Sequence, residues 1–383
     1  MDFELSEEQR LLKDSVERLL KDRYEFEARK AFMASPEGWS RELWQQYADL
    51  GLLGLPFPEE FGGFGGGAVE TMIVAEAFGQ ALALEPFLAT VVLAGGLMRH
   101  AGSDAQCAAM LPKVADGSLL LAFAHAERQS RYDLADVVTA ARRDGAGFIL
   151  DGAKSLVLHG DVADTLLVSA RLSGGRRDRD GIGLFAVDAA AEGVSRRGYQ
   201  TIDGLRAAEV TLTGVAVGAD AVVGEPGAAF PVIARVVDEA IAALCAEAVG
   251  GMAAMHDLTV DYLKTRRQFG VPIGSFQVLQ HRAADMLVAL EQARSMALLA
   301  TMMVGEDDAA ERHRLIAAAK VQIGRSGKFV GQQAIQLHGG IGMTMEYKVG
   351  HYFKRVTAID TTFGDADHHL AEVGRMGGLI DAA

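Results

Sequence analysis

At 383 residues, half of them apolar, the chain carries enough core-forming material for more than one packed domain. Its 51 acidic and 37 basic side chains leave a net charge of −14, which argues against the clustered basic face that DNA or RNA would need. The two cysteines, Cys107 and Cys245, lie in apolar helical sequence; no disulfide framework is expected, and a reducing, cytoplasmic setting fits.

The acidic opening, Met1 to Ser6, shows no signal-peptide pattern. Ser6 with Gln9 reads as a capping box, and Leu11, Leu12, Val16, Leu19 and Leu20 follow on one helical face. Ser40 starts a second helix through Leu50. A Gly-rich turn, Gly62 to Gly67, precedes a third helix over 68–84. The turn lacks a preceding strand and a Lys-Ser/Thr ending, so it is a structural turn and not a phosphate loop. An Ala-, Leu- and Met-rich run continues to Met110, and Pro112 is expected to break it. Residues 1–118 therefore read as a helical domain.

From Leu119 the texture changes. Short apolar runs at 119–124, 148–150, 166–169, 183–187 and 210–217 are separated by Asp-Gly pairs such as Asp144-Gly145, Asp151-Gly152 and Asp180-Gly181. Such spacing predicts antiparallel strands and hairpins, with Arg176, Arg177, Asp178 and Arg179 at a solvated tip. This middle β-domain spans 119–229. From Phe230 the helical period returns, with helices expected over 231–265, 276–303, 309–338 and 366–375. The most apolar stretch, 230–255, contains Asp238, Glu239 and Glu247, so no membrane insertion is expected. The ten histidines include no His-x-x-x-His spacing, and His368 and His369 are adjacent; no metal site is expected.

Two polar runs stand out in the last domain, residues 230–383. One is Tyr262 to Gln277, containing Arg266, Phe269, Gly270, Pro272 and Phe276; the other is Gln336 to Gly342, containing His338, Gly339 and Gly340. Each sits where a long helix breaks at Gly or Pro, and each is richer in polar groups than a core segment requires. Together with the order of helical, β and helical domains, they resemble the acyl-CoA dehydrogenase flavoproteins over essentially the full length. The likeness is nearest to the small subunit of enzymes of the pimeloyl-CoA dehydrogenase type.

The resemblance implies a mainly α fold with a central, antiparallel, barrel-like β-domain and a C-terminal four-helix bundle. It implies FAD, an acyl-CoA substrate and an electron-transfer flavoprotein or similar acceptor. In the family a carboxylate removes the α-proton while the β-hydrogen leaves as hydride to the flavin. Carried over by position, Arg266 would pair with the FAD pyrophosphate, which suits a forked guanidinium. Phe269 would pack on the cofactor, Gln277 would meet its adenosine part, and Gln336, Gly339 and Gly340 would form the second contact. In the family these groups reach across a dimer interface to the neighbouring subunit's FAD.

Three departures qualify the match. The family's base position, counted from Arg355, falls on Gly364, which has no side chain; Asp365 beside it and Glu239 on the first C-terminal helix are the remaining candidates. The flavin-facing strand, Lys-x-Trp-Ile-Thr-Asn-Gly in the family, reads Lys154, Ser155, Leu156, Val157, Leu158, His159, Gly160 here, without the Trp and the Thr. The loop before it keeps Glu127 and Asp133, but Ala126, Arg131 and Tyr132 replace Thr, Gly and Ser. The inward-facing set is thus degraded and the outward-facing set intact. That pattern points to one half of an unlike-subunit dehydrogenase, a heterotetramer with a paralogous subunit. A self-sufficient homotetramer with Asp365 or Glu239 as base, and a non-catalytic scaffold, are the other readings. Arg99, Arg128 and Arg131 are cationic candidates for holding a distal substrate carboxylate.

Overall fold

The computed structural model describes residues 5–377; residues 1–4 of the acidic opening and 378–383 of the C-terminal segment lie outside the described residues. The chain forms two compact units, one of Met1–Lys30, Ala68–Ala83 and Ile241–Ala383, the other of Ala31–Gly67 and Leu84–Ala240. The helices before residue 118 are therefore shared between both units.

In the first unit, α1 (Glu7–Arg23) opens with the Ser6/Gln9 capping box. α2 (Phe26–Ala34) follows, and its buried Arg29 donates to the carbonyl of Leu82 at 2.9 Å. α3 (Arg41–Asp49) belongs to the second unit, whereas α4 (Ala68–Ala81) returns to the first. Gln9 donates to Glu70 of α4 at 2.8 Å, tying α4 to α1.

The second unit adds a π-helical turn over Leu88–Ala94, then α5 (Gly95–Ala101) and α6 (Asp104–Ala115). Pro112 does not break the run as expected. It sits inside α6, and the chain turns only after the N–H of Asp116 bonds to the carbonyl of Pro112. A proline near a helix end removes one N–H bond but still leaves its own carbonyl available to close the last turn.

Eight strands follow: β1 (Leu121–Ala124), β2 (Ala140–Asp144), β3 (Gly147–Leu158), β4 (Thr165–Arg171), β5 (Ile182–Asp188), β6 (Val194–Gln200), β7 (Arg206–Val217) and β8 (Val222–Val223). They pair in the order β6-β7-β3-β2-β4-β5-β8, with β1 beside β4. The expectation of a wholly antiparallel sheet is corrected at two places. β1 runs parallel to β4, and β2 touches β4 in the parallel sense at Ala140 and Arg171. The long connection from β1 to β4 permits this, since a parallel neighbour needs a crossover that a hairpin cannot supply. Phe148, Leu150, Leu166, Val168, Phe185, Val210 and Leu212 form the core of this sheet.

α7 (Phe230–Thr265) ends in a hairpin of β9 (Arg267–Gln268) and β10 (Val271–Pro272). α8 (Gln277–Met303) and α9 (Ala309–His338) complete the long helices, and α10 (Val349–Thr361) and α11 (Ala366–Arg375) close the chain. Glu76 of α4 holds Arg294 of α8 at 2.5 Å. α10 lies close on α9 because Gly324 and Gly331 leave room there. A Cβ at Gly324 would come within 2.0 Å of Asp360, and one at Gly331 within 2.1 Å of Phe353.

Candidate functional site

The outward-facing residues gather at one end of the α7, α8 and α9 helices. After α7 the chain reverses through a two-residue hairpin turn, with Phe269 at φ 53° and Gly270 at φ 81°. A left-handed Phe costs roughly 1–2 kcal/mol. Phe269 is also 91 % exposed, so it gains nothing from burial within this chain. Phe276 lies beside it, the two rings 6.1 Å apart and edge to face, and is itself 37 % exposed. Arg266, beside Phe269, is exposed, and its guanidinium has no hydrogen-bond or ion-pair partner among the described residues. Gln277 is exposed in the first turn of α8, whose N-cap Phe276 supplies no side-chain cap. The N–H groups of Leu279 and Gln280 in that turn bond to the Phe276 carbonyl at 3.0 and 3.3 Å.

Gln336 is exposed on the last turn of α9, and the helix ends at Gly339 with φ 64°. A Cβ at Gly339 or Gly340 would meet nothing within 4 Å, so the backbone there is open to a ligand or partner. The ring of Tyr262 on α7 stacks on His338 of α9 at 4.6 Å, and Arg282 of α8 donates to Gln333 of α9 at 3.2 Å. These contacts tie the end of α7, which leads into Arg266 and Phe269, and the start of α8, which carries Gln277, to the end of α9, which carries Gln336 and leads into Gly339 and Gly340. Ile341, Met343 and Met345 add exposed apolar surface alongside. A guanidinium for phosphate, an aromatic for a ring, amide side chains and bare backbone fit the FAD that the resemblance implies.

The inward-facing set has a different character. Lys154 and Glu127 are buried against each other at 2.8 Å. Lys154 also donates to Ser169 and to the carbonyl of His125, and Glu127 accepts the N–H groups of Val138 and Thr139. Burial alone would raise the Glu127 carboxyl, but the Lys154 charge and hydrogen bond, with Thr139, bring it down to about 2. Burial brings Lys154 down to about 8 against the pull of Glu127. The pair is charged at neutral pH and spent on holding β3.

Just beyond it the β3–β7 register shifts, and Leu156 turns out at φ 52°, 49 % exposed. Beneath this bulge Glu209 accepts from Ser155 at 2.9 Å and from Tyr199 at 3.3 Å, with Arg128 at 3.5 Å. Arg128 itself remains largely exposed, with its side chain 78 % accessible. The carboxylate network under the bulge is not legible in the sequence, because Glu209 follows two alanines in an otherwise ordinary strand.

Gly364, the expected base position, is buried at φ 115°. A Cβ there would lie 2.6 Å from His368 and 2.6 Å from His369. His369 is 1 % exposed and donates Nε2–H to the carbonyl of Phe363 at 3.1 Å. Burial and the charges of Lys320, His368 and His313 push its imidazole down to about 3, so it is neutral. Lys320, fully buried on α9, donates to the carbonyls of Asp360, Thr362 and Gly364 at 2.9, 3.0 and 2.7 Å. It fixes the backbone of this segment from below. The rings of His368 and His369, adjacent in sequence, meet at 5.2 Å and close over Gly364.

The remaining base candidates are occupied. Asp365 is the N-cap of α11 and accepts the N–H of His368 at 2.8 Å. Glu239 is held by Arg99 at 2.6 Å and His100 at 2.7 Å. Burial would raise its carboxyl, yet His100, Arg99 and Arg235 hold it below the usual range, which makes it a weak proton acceptor. Arg99, also bonded to the carbonyl of Pro56, is committed to this cluster. Arg355, the reference point for the base position, forms a bidentate pair with Glu247 at 2.6 and 2.8 Å. Sequence reasoning does not single out the roles of Lys320, Glu247 and His338; the one available signal is a charged or polar residue within an apolar helical stretch.

The sequence matches three family domains, described as the acyl-CoA dehydrogenase N-terminal domain over residues 6–118, middle domain over 122–215 and C-terminal domain over 230–377. It is 29 % identical over 381 residues to the probable acyl-CoA dehydrogenase YngJ of Bacillus subtilis, covering 98 % of this chain and 99 % of that protein. It is 33 % identical over 313 residues to acyl-CoA dehydrogenase FadE12 of Mycobacterium tuberculosis, covering 80 % of each. Among solved structures it is similar to a variant of the Tcur3481-Tcur3483 steroid ACAD, with a TM-score of 0.86 and 30 % identity over 97 % of both chains. It is also similar to the ChsE4-ChsE5 complex of Mycobacterium tuberculosis, with a TM-score of 0.88 and 27 % identity over 100 % of both.

Proposed function

Because this chain belongs to the acyl-CoA dehydrogenase family, oxidoreductases acting on CH–CH donors, we propose that it is one subunit of an unlike-subunit acyl-CoA dehydrogenase and completes a partner's FAD site. The observation that carries this reading is the filled position at Gly364. His368 and His369 occupy the space a base side chain would need, and φ 115° disfavours any side chain there. The opposite condition holds at Arg266, Phe269, Gln277, Gln336, Gly339 and Gly340, which are exposed and open.

When bound, FAD supplies the hydride acceptor. This chain's contribution is to bind and orient: Arg266 neutralises pyrophosphate charge, Phe269 covers a ring, Gln277 and Gln336 hydrogen-bond, and Gly339 and Gly340 present backbone. The partner supplies the base and the flavin-facing strand. Segments 1–118, 119–229 and 230–383 would then play the three roles of the family's helical, β and helical domains. The similar structures Tcur3481-Tcur3483 and ChsE4-ChsE5 are each named as a pair of chains, which supports an assembly of unlike subunits. An electron-transfer flavoprotein is the acceptor that fits, and a cytoplasmic setting suits the buried thiols of Cys107 and Cys245.

The test is to purify the chain alone and with a paralogous subunit encoded beside it, and to record the visible spectrum and acyl-CoA turnover of each. The substrate panel includes pimeloyl-CoA, short straight-chain acyl-CoA and steroid acyl-CoA thioesters. Colourless, inactive chain alone and a yellow, active complex are expected. Stoichiometric flavin and turnover by the chain alone would overturn the reading in favour of a self-sufficient homotetramer. A colourless, inactive complex with every paralogue would leave the scaffold role.

A further inference from the structure

We infer that His338 is a positioning residue: its ring, in contact with both Tyr262 and Tyr347, holds the two cofactor-facing motifs at a fixed spacing. The inference rests on the reading that Arg266, Gly339 and Gly340 face FAD. Tyr262 lies one helical turn before Arg266, whose N–H bonds to the Tyr262 carbonyl at 2.8 Å. His338 directly precedes Gly339. A stack at 4.6 Å and 29° between these two rings therefore links the end of α7 to the end of α9 through one rigid contact.

The second neighbour extends the clamp. Tyr347 meets the His338 ring as well, tilted at 45° with centroids 5.1 Å apart. It follows the short 3-10 turn Gly339–Met343, so His338 and Tyr347 pinch together the two ends of the segment carrying Gly339 and Gly340. The two glycines themselves gain no packing, because nothing lies within 4 Å of a Cβ at either. The segment's anchors are the contact between His338 and Tyr347, the buried Gly342 and the Met345 carbonyl, which accepts from His351 at 3.1 Å, and its backbone amides stay in place only as well as these are held.

The imidazole itself is costly at this place. His338 is 3 % exposed, its Nδ1–H donates to the carbonyl of Ala334 at 2.8 Å, and its Nε2 is buried without a hydrogen-bond partner. Burial, against the carbonyls of Ala334 and Leu258, lowers its pKa and keeps the ring neutral. The ring contacts with the two tyrosines are what links the motifs, and a phenyl ring can make both, losing only the Nδ1–H bond to the Ala334 carbonyl inside α9.

The experiment compares His338→Ala, His338→Phe and Arg266→Ala. Backbone amide hydrogen exchange over 339–346 is measured on the chain without FAD, and FAD affinity on the two-subunit complex. His338→Ala should speed exchange at 339–346 and weaken FAD about tenfold, the scale of one aromatic stack. His338→Phe should restore both to within about twofold, a difference of less than about 0.5 kcal/mol. Unchanged exchange in His338→Ala, or a folded His338→Phe that behaves like the alanine variant, would refute the clamp. If His338→Ala does not fold, Tyr347→Leu, which removes one side of the clamp, must show the same faster exchange or the inference falls. If Arg266→Ala leaves FAD affinity untouched, the outward-facing reading fails, and the exchange data still decide the clamp.

Discussion

Restoring a carboxylate at the base position, Gly364→Glu, should fail to create an active site and should destabilise the first unit. A side chain at φ 115° costs roughly 1–3 kcal/mol. The new Cβ would lie 2.6 Å from both His368 and His369, inside any permitted contact. Relieving it requires moving His369, a buried ring, and breaking its bond to the Phe363 carbonyl. Losing that bond and overpacking the site add about 2–3 kcal/mol. The backbone cannot yield cheaply, because Lys320 pins the carbonyls of Asp360, Thr362 and Gly364. The sum is about 3–6 kcal/mol, or roughly 6–24 °C in Tm for a unit of this size class. Thermal unfolding of the purified chain, with acyl-CoA turnover in a dye-reduction assay, measures both effects. A Gly364→Glu protein within about 2 °C of wild type that binds FAD and turns over substrate alone would refute the reasoning.

Other expectations follow from the same geometry. Arg266→Ala should strip FAD from the complex without dissociating it, weakening affinity about 10- to 100-fold for one charge-assisted contact, read by flavin retained after gel filtration. Lys154→Met leaves Glu127 buried without its cation and should cost about 3–5 kcal/mol in urea unfolding of the second unit. Acid should act on the same pair. The Glu127 carboxyl titrates near 2 in the folded chain against a usual 4.5, so the unfolded chain takes up its proton first. The contribution of this carboxylate is complete above pH 4.5 and is lost as pH falls from there through 2, up to about 3 kcal/mol. Urea midpoints at pH 7, 5, 4 and 3 should fall accordingly, and a Glu127→Gln protein should show a flatter decline. Lys320→Met should free the three carbonyls between α10 and α11, costing about 2–4 kcal/mol and speeding amide exchange across 360–366.

Much of the helical framework is readable because its determinants are local. The spans 276–303, 309–338 and 366–375 differ by at most one residue from Gln277–Met303, Ala309–His338 and Ala366–Arg375. Ser6 and Gln9 cap α1 as their spacing requires. α10 escapes notice because its inner face is built from His351, Tyr352 and Arg355 as well as Val349, Val356 and Ile359, which blurs the apolar stripe. β2 and β6 are hidden for a related reason: both carry mostly polar, half-exposed residues.

By itself the sequence determined the succession of helical, β and helical segments, the two polar motifs at helix breaks and the absence of a side chain at Gly364. It did so because caps, periodicity and residue identity act over a few neighbouring positions. Only the tertiary structure decided that β1 lies parallel to β4, that Glu239 is tied up by Arg99 and His100, and that Gly364 is filled rather than merely vacant. Only it joined Tyr262 to His338, and so the two motifs to each other. These facts depend on which distant side chains share a few ångströms of space, and no local pattern in the chain encodes that meeting.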